Sequence, residues 1–343
     1  MIKFINDYQE GCIPEILEKL RVYNLNASVG YGEDEVCKRA RELIKAEIKS
    51  ENAHVHFISG GTLTNKIVIT TFLRGFEGVI CADTAHIATH ETGAIESGGH
   101  KVLTVPNVQG KITASMVEKV INEHIGGLSR EHTVKPKMVY VSQSTETGTV
   151  YSLKELNEIY AVCKKFGLIF FIDGARILSS LFSKNCDFTL ADIQRTCDVF
   201  YIGGTKAGAL LGEALVINSD SLNEDFRYAL KQQGGLMAKG FVMGAQFEGL
   251  FENGNYKRYC KDAVDKADLI RKALKDKGIE LEVVSYDTQT FAIFTEEQYK
   301  ELEKYFDFGG ATIKNGKAYA RICTSWATPY ENVNALVETV KRL

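Results

Sequence analysis

Apolar residues fall along this chain in two alternating textures. Short, almost unbroken apolar runs occupy residues 54–59, 78–81, 101–105, 138–142, 168–173 and 199–203. Each is too short for a helix and too apolar to leave one face in water, which predicts strands of a sheet covered on both sides. Between them, apolar residues recur at helical spacing. Pro14 suits the first turn of a helix that buries Ile16, Leu17 and Leu20, because a first-turn N–H has no partner to lose. Ser152-Leu-Lys-Glu155 is a capping box, and it opens a helix with Leu153, Leu156, Ile159, Tyr160 and Cys163 on one face. Strand–helix alternation predicts a largely parallel, doubly covered α/β sheet.

The texture changes after about residue 250. A charged amphipathic helix is predicted over 256–277, followed by strand-like pieces at 281–285, 290–294 and 318–323. Two further helix starts are interleaved, Thr295-x-x-Gln298 and Thr328-Pro-Tyr-Glu331, the latter with Pro329 as its first helical residue. The expected organisation is a large domain over 1–252, with an N-terminal arm at 1–26, and a smaller α+β domain over 253–343.

Composition narrows the function. With 343 residues the chain is long enough for two domains. Its 41 Lys+Arg against 44 Asp+Glu leave a net charge of −3, which argues against an electrostatic nucleic-acid binder. No apolar stretch approaches the ~18 residues of a membrane span. The polar start, with Asp7 and Glu10, lacks the apolar core of a secretion signal. The eight cysteines form no C-x-x-C pair, so reduced thiols in a cytoplasmic protein are expected, with no structural metal.

Four stretches set unusual residues just beyond a predicted strand, the edge at which open α/β sheets bind ligands. Ile58-Ser-Gly-Gly-Thr62 leads into a helical run, so its glycines and free N–H groups can cradle a phosphate. Its plainer reading is a tight turn, and it is neither a P-loop nor a G-x-G-x-x-G dinucleotide turn. Asp173, in Phe170-Phe-Ile-Asp-Gly-Ala-Arg176, ends a buried strand. It is either a satisfied turn aspartate or a carboxylate that keeps a ring nitrogen protonated. Lys206 follows the run at 199–203 through Gly203, Gly204 and Thr205. Most lysines are solvated, but apolar flanks point to a partly buried amine with the lowered pKa of a Schiff-base nucleophile. Asp83, His86, His90 and Glu91 admit either a zinc site or an imidazole stacked on a planar cofactor. Jointly, a phosphate cradle, an aspartate and a reactive lysine are what pyridoxal 5'-phosphate (PLP) requires.

With these stretches in this order, the chain resembles the PLP-dependent low-specificity L-threonine aldolases within the wider β-eliminating lyase group. The resemblance runs from Asn6-Asp7 to about Gly244 and is thinner through Arg321. It is carried by Gly30-Tyr-Gly-Glu-Asp34, Ser59-Gly-Gly-Thr-Leu-Thr-Asn65, His86 with Glu91, Asp173-Gly-Ala-Arg176, Thr205-Lys206 and Gly234-Gly-Leu-Met237. It implies fold type I of the PLP enzymes, an aspartate-aminotransferase-like three-layer αβα domain with a smaller α+β domain. It also implies roles. Lys206 holds the cofactor's aldehyde carbon, and Asp173 pairs with its ring nitrogen. Gly61 and Thr62 bind phosphate, Thr205 precedes the lysine, and His86 stacks on the ring and helps move protons. Arg176 lies near the cofactor oxygen and the substrate carboxylate, Arg321 is a second carboxylate anchor, and Asn6 touches substrate. Lys231 is a basic residue supplied across a subunit interface, which implies a homodimer or homotetramer with shared sites.

The reaction implied is aldol cleavage of L-threonine or L-allo-threonine to glycine and an aldehyde. The alternatives are β-elimination or another amino-acid lyase reaction on the same cofactor, a non-catalytic PLP or amino-acid binding module, and a metal hydrolase built on Asp83, His86, His90 and Glu91. Three departures from the family bear on substrate range. The loop Ser142-Gln-Ser-Thr-Glu-Thr-Gly148 lacks the family's histidine, whose place Thr145 or Glu146 would take. Ala-Gly-Ala-Leu-Leu follows Lys206 where the family often has Gly-Leu-Gly-Ala-Pro, and Lys239 stands for an arginine.

Overall fold

The computed structural model describes all 343 residues. Six strands lie where the apolar runs place them: β1 (His54–Ile58), β2 (Glu77–Ala82), β3 (Val102–Val105), β4 (Lys135–Ser142), β5 (Ile169–Asp173) and β6 (Val199–Gly203). A seventh, β7 (Glu213–Ile217), was not anticipated. Its apolar part is only four residues long, and it begins on a charged residue. The sheet order is β1-β7-β6-β5-β4-β2-β3. β7 runs antiparallel to β1 and β6, and the remaining pairings are parallel.

This topology puts the chemistry on one edge. Parallel strands end together, so Ser142 of β4 is in register with Asp173 of β5. Because β7 is reversed, its first residue, Glu213, pairs with the last residues of both β6 and β1, Gly203 and Ile58. The segment after β1 opens the helix Gly61–Phe72 at the same edge. Two glycines allow β5 and β6 to close up there. The Gly203 N–H donates to the Gly174 carbonyl at 2.9 Å, and a Cβ on Gly174 would lie 1.8 Å from the Tyr201 carbonyl oxygen.

The apolar residues form a 63-residue core around this sheet and a second core of 16 residues. The second core lies against a four-stranded antiparallel sheet, β8 (Glu280–Leu281), β9 (Gln289–Thr295), β10 (Ala311–Lys314) and β11 (Lys317–Cys323), in the order β10-β11-β9-β8. The helix Asn255–Asp276 joins the cores, placing Tyr256 and Cys260 in the first and Ile270 and Leu274 in the second. The N-terminal residues belong with the second core. Phe4 is buried in it, and Ile2–Lys3 pairs in parallel with Phe306–Asp307. The chain then crosses to the edge of the large sheet within three residues.

Local expectations mostly hold. Pro14 begins the helix Pro14–Tyr23, and the Ser152–Glu155 and Thr295–Gln298 boxes are both formed. Three do not. Leu17 is 56% exposed, so that helix buries Ile16 fully and Leu20 in part. Strand 281–285 shrinks to β8: the Glu282 N–H still reaches the Phe291 carbonyl at 3.0 Å, but the Ser285 N–H turns back to the Val283 carbonyl at 3.0 Å. The Thr328 box does not form. Pro329 is the N-cap of the helix Tyr330–Arg342, and the Thr328 hydroxyl instead accepts the Ser325 N–H at 2.8 Å.

Replacing Ser152 by Ala removes one helix cap and is expected to cost about 1 kcal/mol. Gly174→Ala drives a Cβ into backbone that cannot swing aside, and is expected to cost roughly 3 kcal/mol or more. Chemical denaturation compares the two, and equal losses would contradict the close approach at Gly174.

Candidate active site

A cavity of about 530 Å³ opens at this strand edge, and Asp173 lies at its wall. Every lone pair that Asp173 turns toward protein is used. Oδ1 accepts from the Ala175 N–H at 2.9 Å and from the Tyr201 hydroxyl. Oδ2 accepts from the Tyr140 hydroxyl at 2.5 Å and Asn65 Nδ2 at 3.2 Å. Burial, reinforced by the Asp173 charge, pushes both phenol pKa values well above 10, so Tyr140 and Tyr201 remain donors. Four donors from separate parts of the chain thus converge on one carboxylate.

The network continues to His86. Asn65 Nδ2 also donates to Glu91 Oε1 at 2.8 Å, and the same oxygen accepts from His86 Nδ1 at 2.8 Å. The Glu91 hydrogen bond raises the His86 pKa, outweighing burial, with help from the Asp173 charge. Nδ1 therefore carries a proton, and the ring is held as a flank of the cavity. Glu91 Oε2 and Asn65 Oδ1 are buried without partners.

Lys206 reaches the same cavity from the loop after β6. Its amine makes no hydrogen bond or ion pair, and its nearest aromatic face is Tyr8, with Nζ 5.8 Å from the ring centroid. Burial and the Arg176 charge lower its pKa, against the attraction of Asp7, Asp173 and Glu213. Such an amine is a nucleophile in reserve. Glu213 lines the cavity beside it and accepts from Thr205 Oγ1 and the Gly204 N–H, both at 3.2 Å. Burial raises its pKa. The Thr205 hydroxyl also accepts the Gly212 N–H at 3.1 Å, so it ties the lysine loop to β7.

Two arginines line the cavity in different states. Arg176 is held side-on by Asp7, with Nε and Nη2 at 2.7 and 3.0 Å from its two oxygens, which leaves Nη1 without a protein partner. Burial alone would raise the Asp7 pKa, but Arg176, Lys206 and the Thr288 hydroxyl together lower it to about 2. Arg321, near the end of β11, has no carboxylate partner and donates only to the Ile5 carbonyl at 3.3 Å.

Gly61 and Thr62 form the first turn of the helix Gly61–Phe72, whose N–H groups have no intrahelical acceptors. A Cβ on Gly61 would stand 3.2 Å from the Tyr201 hydroxyl that serves Asp173. Thr145 is buried, bonded to the Thr149 hydroxyl at 2.7 Å, whereas Glu146 lines the cavity. Two expected residues lie elsewhere. Asn6 accepts the Tyr8 N–H at 2.9 Å and faces a separate surface cleft, while Tyr8 itself lines the main cavity. Lys231 stacks on Tyr31, 4.2 Å from its centroid, outside this cavity. The residues of the zinc alternative do not converge. Asp83 accepts from Asn107, His90 pairs with Thr89, and His86 with Glu91.

The donor set fits PLP. One cavity offers a helix N-terminus for phosphate, an unpaired amine, a carboxylate for a ring nitrogen and an imidazole along one wall. Tyr140, Tyr201, Tyr8 and Glu213 were not singled out from the sequence. Their signal was faint: Glu213 opens a short strand, Tyr140 and Tyr201 lie inside apolar strands like ordinary core aromatics, and Tyr8 lies outside any strand.

Comparison with known proteins agrees with this arrangement. The Beta-eliminating lyase family model matches residues 13–298. The low specificity L-threonine aldolase of Pseudomonas sp. (strain NCIMB 10558) is 31% identical over 345 residues, covering 99% of this chain and 97% of the relative. The structure of Leishmania major threonine aldolase is 43% identical with a TM-score of 0.96, covering 100% of this chain and 99% of that one. A Thermus thermophilus aspartate aminotransferase mutant shares the fold, with a TM-score of 0.72 at 14% identity over 100% of this chain and 91% of its own. No helix is long and apolar enough to cross a membrane. By sequence and by fold, this chain belongs to the beta-eliminating lyase family.

Proposed function

We propose that the protein is a PLP-dependent lyase that cleaves L-threonine, L-allo-threonine and related β-hydroxy-α-amino acids to glycine and an aldehyde. The observation that carries this reading is Lys206, an amine without an ion-pair partner that shares one cavity with Asp173 and two arginines. The names of the relatives support the aldol direction of the chemistry.

In this reading Gly61 and Thr62 hold the cofactor phosphate, with Thr205 bracing the loop that presents Lys206. His86 would lie along the cofactor ring, and Asp173 would pair with the ring nitrogen. When bound, PLP supplies an electron sink for charge that develops at Cα of the substrate. Arg321, the cavity arginine without a carboxylate partner, takes the substrate carboxylate. Arg176, fixed in orientation by Asp7, contributes its remaining N–H groups. Two fixed cations orient the substrate and so decide which bond at Cα is broken. Lys206 would hold the cofactor through its amine, and the same amine would move protons at Cα.

We further propose a two-domain organisation at about residue 252, an oligomer in which Lys231 serves a neighbouring subunit's site, and a cytoplasmic location. The exposure of Tyr31 and Tyr228 near Lys231 supports the second point.

Purified protein with PLP is expected to show a visible band that borohydride bleaches and to release acetaldehyde from threonine. Lys206→Ala should abolish both, and ammonia with a keto acid as products would instead establish β-elimination. Asp173→Asn should lower kcat at least ~100-fold while KM moves less than ~5-fold, because the carboxylate acts on charge that develops during reaction. Arg321→Ala should raise KM by roughly 10- to 100-fold, the value of a charged hydrogen bond of ~1.5–3 kcal/mol. Asp7 predicts a pH dependence of stability. Its carboxylate is ordinarily half-protonated near 3.8 and is held to about 2 in the folded protein. The pair therefore contributes roughly 2 kcal/mol, present above about pH 4 and lost as pH falls toward 2. Urea unfolding of wild type and Asp7→Asn should give stabilities that converge as the pH falls from 6 to 2.5.

A further inference from the structure

Glu146 is a charged residue in a loop whose neighbours are committed elsewhere. Its Oε1 is fixed from two sides, by the His86 N–H at 2.8 Å and the Ser142 hydroxyl at 2.6 Å. Its Oε2 has no protein partner, and the residue lines the cavity. One oxygen is thus anchored while the other is offered to whatever the cavity holds. The other cavity carboxylates are not available in this way. Asp173 accepts four donors, and Glu213 uses one oxygen for Thr205 and the other for the Gly204 N–H. Thr145 is turned into a cluster of threonine hydroxyls. His86 commits Nδ1 to Glu91, and that hydrogen bond raises its pKa.

We propose that Glu146 is a catalytic residue, the acceptor of the β-hydroxyl proton of the substrate. The proposal rests on the lyase reading above. In the step, the O–H bond of the β-hydroxyl breaks and its proton moves to Glu146 Oε2. The freed electron pair forms the aldehyde C=O as the Cα–Cβ bond breaks, and that bond's electron pair stays with Cα. Glycine and aldehyde together contain the atoms of the substrate, so the proton leaving oxygen is matched by one arriving at Cα. No oxidant or further reactant is needed.

The surroundings suit the task. The titratable groups around Glu146 are His86, Asp173, Tyr140, Tyr151 and Cys81. Burial, with the Asp173 charge adding to it, raises the Glu146 pKa, opposed by the Ser142 and His86 donors. A carboxylate shifted toward neutrality is a stronger base and gives up its proton more slowly than an ordinary one. A fixed negative oxygen at this place also disfavours substrates that carry a second acid on Cβ.

The test uses the holoenzyme and Glu146→Gln. The amide oxygen can still accept from Ser142 and His86, while the cavity side loses its base. The variant is expected to keep its borohydride-sensitive cofactor band and, in a spectral titration, wild-type glycine affinity within ~3-fold. Threonine cleavage should fall 10²- to 10⁴-fold in kcat. Exchange of the glycine α-proton into deuterium oxide, which involves no β-oxygen, should stay within ~3-fold of wild type by NMR. Glu146→Asp should recover part of the cleavage rate. Cleavage by Glu146→Gln within ~3-fold of wild type would overturn the proposal. So would a loss of glycine binding and exchange in parallel with cleavage, since that marks a structural role. If wild-type protein yields ammonia and a keto acid from threonine, the aldol-cleavage reading itself fails, whatever the Glu146 variants do.

Discussion

The buried Asp173 carboxylate is the constraint on which the rest of the site depends. Left unpaired at the end of an apolar strand, it would bear the full cost of its lost hydration. Four donors prevent this, and they come from separate parts of the chain: Tyr140 on β4, Tyr201 on β6, Asn65 on the helix after β1, and the Ala175 N–H just beyond β5. Satisfying one charge therefore sets the lateral spacing of three strands and the docking of a helix. That helix carries the N-terminus read as a phosphate cradle. Through Asn65 the same network reaches Glu91 and sets the tautomer of His86.

Charge in the cavity is balanced locally, which is how a protein of net charge −3 can assemble a site for anions. Arg176 is neutralised by Asp7, and the Lys206 amine stands among Asp7, Asp173 and Glu213 without touching any of them. Arg321 is left without a carboxylate. The two arginines thus differ in what they can still bind. Asp7 arrives on the short N-terminal segment that leaves the second core after Phe4, so the smaller core helps to position a group in the large sheet's cavity.

Much of this was legible in the chain. Six strands of the large sheet are apolar runs of the right length, and two capping boxes formed as read. Lys206, Asp173, His86, Gly61, Thr62 and Arg176 meet in one cavity because each follows or ends a strand at one edge of the large sheet, and Arg321 reaches the same cavity from β11 of the second sheet. What escaped notice was contextual. β7 is short and starts on Glu213, and it becomes a strand through pairing on both sides. Tyr140 and Tyr201 look like ordinary core aromatics until their hydroxyls are placed on Asp173. Thr328 has a better partner in Ser325 than in the helix it precedes. Asn6 turns to its own backbone neighbour, and Tyr8 takes the cavity wall.

The sequence by itself determined the fold class, the positions of six strands of the large sheet and the identity of the main reactive groups. Those follow from apolar periodicity and from residue types whose chemistry needs no context. Only the tertiary structure decided how those groups are paired. It clamped Arg176 with Asp7 and left Arg321 free, and it buried Thr145 while leaving one oxygen of Glu146 unsatisfied at the cavity. Spacing along a chain specifies which residues share an element. Hydrogen-bond partnership and burial, which set charge state and reactivity, arise only when distant elements pack together.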